Sequence, residues 1–291
     1  MFLFKVLPLL FKLLATFGTT LANACVKPLK ISVMKNGLVF FTVLLMSFAA
    51  FAQEDSFGDG EWFKFRISYS GWWKAGEATM GVSSDTYKGK PVYHIKGKGV
   101  TTGMTKLFFG VEDYYESYVD KQTTLPYRFI RKIDEGGHTK DKLIDFNQST
   151  HVATVNDKKH TTITTYKTEP SIHDMVSSFY YLRNSIDTKN LKEGDETVIN
   201  MFFDQENFKF KLKFMGREVL KTKFGKVNTL IFKPYVQAGR VFKEQESLTV
   251  WISDDQNKIP LQIKADLAVG SLKADIDAYK GLKHPFYIIQ D

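Results

Sequence analysis

Trp62-Phe63-Lys64-Phe65-Arg66-Ile67-Ser68-Tyr69 alternates apolar and polar side chains and puts Phe63, Phe65, Ile67 and Tyr69 on one face. A period of two marks a half-buried strand. Phe208-Lys209-Phe210-Lys211-Leu212-Lys213-Phe214 repeats the device, with a phenylalanine and leucine row on one side and lysines on the other. The lysines read as a solvated face that discourages edge-to-edge pairing. Similar runs occupy 77–82, 91–97, 111–119, 127–133, 143–147, 151–155, 161–166, 197–203, 217–223, 227–234, 248–253, 261–268 and 271–279. Turn signals such as Lys88-Gly89-Lys90-Pro91, Glu135-Gly136-Gly137 and Asp254-Asp255-Gln256-Asn257 separate them. Connections this short suit antiparallel meanders, because parallel neighbours need longer crossovers.

One helix interrupts the strands. Ser171 is placed as its N-cap, with Asp174 three residues on as in a capping box, and Arg183 near the C-terminal end. Ile172, Met175, Val176, Phe179 and Leu182 recur at helical spacing and form a stripe fit to lie on a sheet, while His173, Ser177 and Tyr180 share another side. The fold class is therefore all-β: a large curved antiparallel sheet, a half-barrel or β-roll, with one main α-helix packed on or in it.

The chain has 291 residues, 43% of them hydrophobic and 25% charged, the composition of a folded globular protein. Its net charge of +8 is concentrated at the start: the first 52 residues hold Lys5, Lys12, Lys27, Lys30 and Lys35 and no acid. Downstream, 35 basic side chains face 32 acidic ones, so no nucleic-acid partner is expected. Met34-Lys35-Asn36, an apolar run to Phe48 and Ala50-Phe51-Ala52 have the order of a secretory signal cut after Ala52. That run is too short for a permanent transmembrane helix, which needs roughly 20 residues. Residues 1–33 read as an upstream gene-model extension or a second leader, residues 34–52 as the signal, and residues 53–291 as a single β-rich domain. The expected destination is the periplasm or the outer membrane. Cys25, the one cysteine, lies ahead of the cleavage site, so disulfides and thiol chemistry are not expected in the mature chain.

No nucleophile elbow, P-loop, zinc helix or dinucleotide fingerprint is present. The six histidines lack ligand spacing, and no catalytic residue, metal or cofactor is assigned. Lys96-Gly97-Lys98-Gly99 reads as a turn. In Glu112-Asp113-Tyr114-Tyr115-Glu116, alternation sets Glu112, Tyr114 and Glu116 against Asp113 and Tyr115. Paired carboxylates of this kind, or His173 beside Asp174, are what a hydrolase would use; a solvent face and a helix cap explain them more simply. Aromatics are abundant, with 25 Phe, 13 Tyr and 4 Trp. Ser70-Gly71-Trp72-Trp73 reads as a turn covered by tryptophans. Rings of this kind line lipid or sugar sites.

Tyr69-Ser70-Gly71-Trp72-Trp73-Lys74-Ala75-Gly76-Glu77-Ala78, Thr124-Leu125-Pro126-Tyr127-Arg128-Phe129, the helix from His173 to Arg183, Val250-Trp251-Ile252-Ser253-Asp254-Asp255 and Ile259-Pro260-Leu261 together resemble a family of exported Gram-negative envelope proteins defined only as a domain of unknown function. The resemblance spans residues 58–281. It implies a periplasmic or outer-membrane-associated β-rich protein, similar at fold level to periplasmic lipoprotein carriers, with no enzyme activity attached. The matching motif positions are Trp73, Gly76, Asp174, Ser177, Tyr180 and Arg183. The expected function is binding of an apolar or amphipathic ligand, a lipid or glycan fragment, in the concavity of the sheet. Trp73, Asp113, His173, Asp174, Ser177, Tyr180 and Arg183 are its candidate contacts. The alternatives are a structural role with an envelope protein partner, and a hydrolase of envelope polymers using Asp113, Glu116, His173 or Asp174.

Overall fold

A computed structural model describes residues 55–235, 248–267 and 269–290; the leader, the stretch before it and Cys25 lie outside these. The strands are β1 (Trp62–Tyr69), β2 (Trp73–Tyr87), β3 (Lys90–Thr101), β4 (Val111–Asp120), β5 (Pro126–Glu135), β6 (His138–Asn147), β7 (Val152–Asp157), β8 (Thr162–Lys167), β9 (Glu196–Phe203), β10 (Glu206–Thr222), β11 (Gly225–Tyr235), β12 (Leu248–Ser253), β13 (Pro260–Asp266) and β14 (Ser271–Lys280). The helices are α1 (Gly103–Phe108), between β3 and β4, and α2 (Met175–Ser185), between β8 and β9. All 14 strands form one sheet in the order β8-β7-β6-β5-β4-β3-β2-β1-β14-β13-β12-β11-β10-β9, and every pairing is antiparallel. Two meanders thus meet where β1 pairs with β14, and the segment carrying α2 connects the two edges of the sheet.

Those edges approach each other without forming a ladder. Tyr166 on β8 lies 5.7 Å from Phe202 on β9, ring to ring, and Phe146 on β6 lies 6.0 Å from the same ring. The Asn207 side-chain amide donates to the Lys167 carbonyl at 2.7 Å. Asp204, in the β9–β10 turn, reaches Arg131 on β5 at 2.7 Å and Lys140 on β6 at 3.3 Å. On β9 the exchange is with the segment before α2: His173 N–H donates to the Asn200 carbonyl at 2.9 Å, and Phe202 N–H to the His173 carbonyl at 2.8 Å. The sheet is therefore curled around a filled interior, and its two edges meet mainly through side chains without closing into a barrel.

The interior is the main apolar core. Ile95, Tyr115, Phe129, Ile144 and Val155 from the first meander meet Met201, Phe202, Phe214 and Phe232 from the second and Ile172, Val176 and Tyr180 from the α2 segment. A second cluster built on Phe63, Phe65, Leu261 and Ile276 takes in Leu220 and Phe224 from the β10–β11 hairpin. Gly76 has no room for a side chain, because a Cβ there would collide with the Val100 carbonyl oxygen on β3. That explains a glycine inside a strand.

The structure corrects the sequence reading at several points. The runs 208–214 and 217–223 belong to one strand, β10, whose register shifts at Gly216, a residue at φ +124°. Lys96-Gly97-Lys98-Gly99 lies within β3 and is not a turn. The N-cap of α2 is Asp174 and not Ser171, which sits at φ +51° in the preceding turn. No helix among the described residues is long and apolar enough to cross a membrane.

Candidate functional site

Alternation along β4 decides what faces inward. Val111, Asp113, Tyr115, Ser117 and Val119 are buried, while Glu112, Tyr114, Glu116 and Tyr118 face outward. Ser117 meets α2: its hydroxyl donates to Asp174 Oδ2 at 2.6 Å. The other carboxylate oxygen of Asp174 accepts from the backbone N–H groups of Val176 (2.7 Å) and Ser177 (2.8 Å). Ser177 Oγ in return accepts from the Asp174 N–H at 2.9 Å, which completes a capping box. Burial pushes the Asp174 carboxyl up to about 6, against the pull of these hydrogen bonds.

Removing this carboxylate strips the cap and orphans a buried hydroxyl. Asp174→Ala should cost ~2–4 kcal/mol, and Asp174→Asn, which keeps an acceptor for the helix amides, should cost distinctly less. Urea unfolding followed by circular dichroism measures both; equal losses would show that the cap is not what holds α2.

The other α2 candidates are also structural in their contacts. His173 is buried, its Nδ1 3.3 Å from Ser177 Oγ and its ring 4.5 Å from that of Tyr181. Burial lowers its pKa to about 4, so it is neutral at ordinary pH. Tyr180 is fully buried, its ring 4.6 Å from Phe57. Arg183 is buried near the other end of α2, where its guanidinium forks onto Glu61 at 2.6 and 2.8 Å and also donates to the backbone carbonyls of Asn257 and Ser56.

Asp113 lies four residues before Ser117 on the same inward row, about 13 Å along the strand. It is fully buried, and neither carboxylate oxygen has a well-formed hydrogen-bond partner. The Tyr115 hydroxyl and Arg131 Nε are likewise buried without partners. Opposite Asp113 and Tyr115 on β3 stand Gly99 and Gly97, which place no side chain beside these polar groups. Burial, then the charge of Glu135, raises the Asp113 carboxyl to about 7. A weak backbone hydrogen bond from Asp134 and the charge of the Arg131 guanidinium pull the other way. Burial also lifts the Tyr115 phenol. Polar groups desolvated in this manner cost a fold stability.

Of the seven candidate contacts, the α2 segment brings together His173, Asp174, Ser177, Tyr180 and Arg183, and Ser117 ties them to the row that carries Asp113. Trp73 stands apart at the start of β2, its indole N–H donating to Thr105 Oγ1 at 3.0 Å. The acid/base set does not converge: Glu116 faces outward onto His94 at 2.7 Å, Asp113 faces inward, and Asp174 is committed to its cap. No group of three or more metal-ligating side chains occurs among the described residues. Tyr115 and Arg131 are the members the sequence reading missed. Tyr115 was visible on the face of Asp113, but Arg131 becomes its neighbour only through the β4–β5 register. A cleft of 270 Å³ lies elsewhere, between the β10–β11 hairpin and β1, β13 and β14. Its charges are largely paired, Lys223 with Asp277 and Lys273 with Asp275.

A family model described as Protein of unknown function (DUF3108) matches residues 64–277. Among solved structures, the chain is similar to a beta-barrel-like protein of domain of unknown function DUF1849 from Brucella abortus, with TM-score 0.50, 8% identity and coverage of 78% of this chain and 99% of that one. It also matches a DUF1089 family protein from Pseudomonas aeruginosa (TM-score 0.33, 7% identity, 62% and 87% covered). A candidate lipoprotein from Parabacteroides distasonis follows at TM-score 0.31 and 14% identity, with 78% and 98% covered. No curated protein matches the sequence. At these identities the Brucella likeness is one of fold alone.

Proposed function

The chain belongs to the family described as Protein of unknown function (DUF3108), and from that premise we propose that it is an exported envelope protein whose curled sheet binds an apolar or amphipathic molecule, a lipid or a glycan fragment, against its inner face. Export is supported by the leader at 34–52. Binding rests on one observation: Asp113, Tyr115 and Arg131 present buried polar atoms without partners beside the side-chain-free positions of Gly97 and Gly99. A ligand with a hydrogen-bond donor in its head group supplies a partner for Asp113, and its apolar portions would take the place of part of the aromatic packing that fills the interior. The α2 set, from His173 to Arg183, acts in this reading as the wall that holds the interior in shape. The seam between β8 and β9 offers a route of entry, since opening it breaks side-chain contacts and not a strand ladder.

The test is native mass spectrometry of the full chain, expressed with its own leader and purified, before and after denaturation. The expected result is a mature N-terminus at Gln53 and a releasable extra mass in the lipid or glycan range, reduced in Asp113→Leu. A ligand-free protein that gains no mass from an envelope lipid or glycan extract would overturn the reading. A stoichiometric co-purifying protein on that ligand-free chain would point to a role in an envelope complex instead.

A further inference from the structure

We propose that the end of the sheet formed by the β1–β2 turn and α1 is a docking surface for an anionic phospholipid bilayer. Most large apolar side chains among the described residues are buried or half-buried, but Trp72 is 71% exposed, Leu107 79% and Phe108 81%, and Met104 and Trp73 are exposed beside them. These residues form one patch because β2 and β3 are paired, with Gly76 opposite Thr101, so the turn before β2 and the helix after β3 emerge together. The β1–β2 turn is set by Ser70 at φ +50° and Gly71 at φ +80°, a left-handed pair that glycine makes accessible. α1 buries none of its residues. A six-residue helix does not hold itself together in water; this one is tied down by the Trp73 bond to Thr105 and by the Thr102 N–H donating to the Ala75 carbonyl at 3.2 Å. The scaffold thus fixes exposed apolar side chains in place, where unconstrained ones would fold back onto the protein.

Composition identifies the occupant. Residues 69–76 and 101–111, which build the patch, contain Lys74 and Lys106 and no acid. The acids that flank these segments in sequence are engaged, Glu77 by Lys64 and Lys74 and Glu112 by Lys98 at 2.9 Å, and Asp266, beside the β1–β2 turn, is paired with Lys264 at 2.8 Å. Tryptophan flanked by lysine, with leucine, phenylalanine and methionine at the tip, matches the head-group boundary of a bilayer: indoles sit at the interface, aliphatic groups enter the acyl region and lysines face anionic lipid. A second copy of the chain is a poorer fit, because a self-complementary contact through this patch would set Lys106 against its own counterpart, with Lys74 already held by Glu77.

The test uses the full chain, expressed with its own leader and purified, with vesicles of phosphatidylethanolamine and phosphatidylglycerol, and with phosphatidylcholine vesicles as the uncharged comparison. The wild type should float with the anionic vesicles, less so in high salt, and its tryptophan emission should move to the blue; that shift should be lost in Trp72→Phe with Trp73→Phe. Leu107→Ser with Phe108→Ser should lower the bound fraction about tenfold with the thermal midpoint unchanged, since neither side chain is buried. Lys106→Glu should weaken binding to the anionic vesicles only. Failure of the wild type to float, equal binding by the Leu107/Phe108 variant, or a concentration-dependent dimer that this variant abolishes would overturn the proposal. Ligand retention in the Leu107/Phe108 variant, read by native mass spectrometry, reports on the inner face separately.

Discussion

Replacing Arg183 by methionine is expected to remove ~3–5 kcal/mol of folding stability, a large share of the ~5–15 kcal/mol that holds a domain together. The guanidinium is buried, and its hydrogen bonds run to Glu61, which precedes β1, to the Ser56 carbonyl and to the Asn257 carbonyl in the β12–β13 connection. One side chain on α2 therefore fastens two segments far from it in sequence, residues 56–61 and the β12–β13 connection. It also lies within 5.3 to 5.6 Å of the ring centroids of Phe57, Phe63, Phe179 and Tyr180, so its charge is shared between a carboxylate and aromatic faces. Methionine fills much of the volume but leaves the Glu61 carboxylate and the two carbonyls without donors in a dry setting. The diagnostic is the second substitution: Glu61→Gln on the Arg183→Met background should recover part of the loss, because it removes the stranded charge, whereas Glu61→Gln alone should destabilise. Arg183→Lys should fall between, since an ammonium cannot fork onto a carboxylate and reach the carbonyls as well. Chemical denaturation of the four variants decides it; a loss under ~1 kcal/mol in Arg183→Met would mean that the cluster is not a clasp.

The strands of this protein were legible because each is half-buried and alternates. β1 and β12 fall where the sequence pattern puts them, and the short connections already imply an antiparallel meander. What the pattern could not supply was anything that depends on which strand lies beside which. The partnership of β1 with β14, the approach of β8 to β9 and the placing of Arg131 next to Tyr115 are properties of register, and a single strand carries no record of it. The start of α2 lies three residues beyond the sequence pattern's choice because Ser171 and Asp174 are both good caps, and it is Asp174 that completes a capping box with Ser177 and is joined by Ser117 from a distant strand. α1 was missed because it has no buried face to give it a period. The residues of the family motif divide accordingly. Asp174, Ser177, Tyr180 and Arg183 serve the packing of α2, Gly76 permits close approach of two strands, and Trp73 anchors α1. The buried unpartnered atoms of Asp113 and Tyr115 lie outside the motif, although the hydroxyl of Tyr180, a motif residue, is buried without a partner as well.

Asp113→Asn should make the protein more stable than the wild type above pH 7 and flatten its dependence on pH. The carboxyl has a pKa near 3.8 in the unfolded chain and about 7 in the folded one. Well below pH 3.8 both states are protonated and the group contributes nothing. Between pH 4 and 7 the unfolded chain releases its proton while the folded chain retains it, so the folded state binds more protons and stability falls as pH rises. The full difference amounts to ~4 kcal/mol, an upper bound for a pocket that can admit water. Two other buried groups titrate in this range. Asp174, raised to about 6, acts in the same direction, while His173, lowered to about 4, weakens the fold as pH falls through 6.5 toward 4. The quantity to measure is therefore the difference between wild type and Asp113→Asn from urea denaturation at several pH values. Glu135 and Arg131 face Asp113 from β5, Asp134 acts on it from the outward side of the same strand, and all three are common to both proteins. A difference that grows from near zero well below pH 3.8 to several kcal/mol at pH 7.5 would confirm a carboxyl held at a cost to stability. If ligand occupies the inner face, adding it should shrink that difference, because a donor beside Asp113 returns its pKa toward the ordinary range. A flat difference would mean that the carboxyl is already solvated, and the argument for a missing partner at Asp113 would go with it.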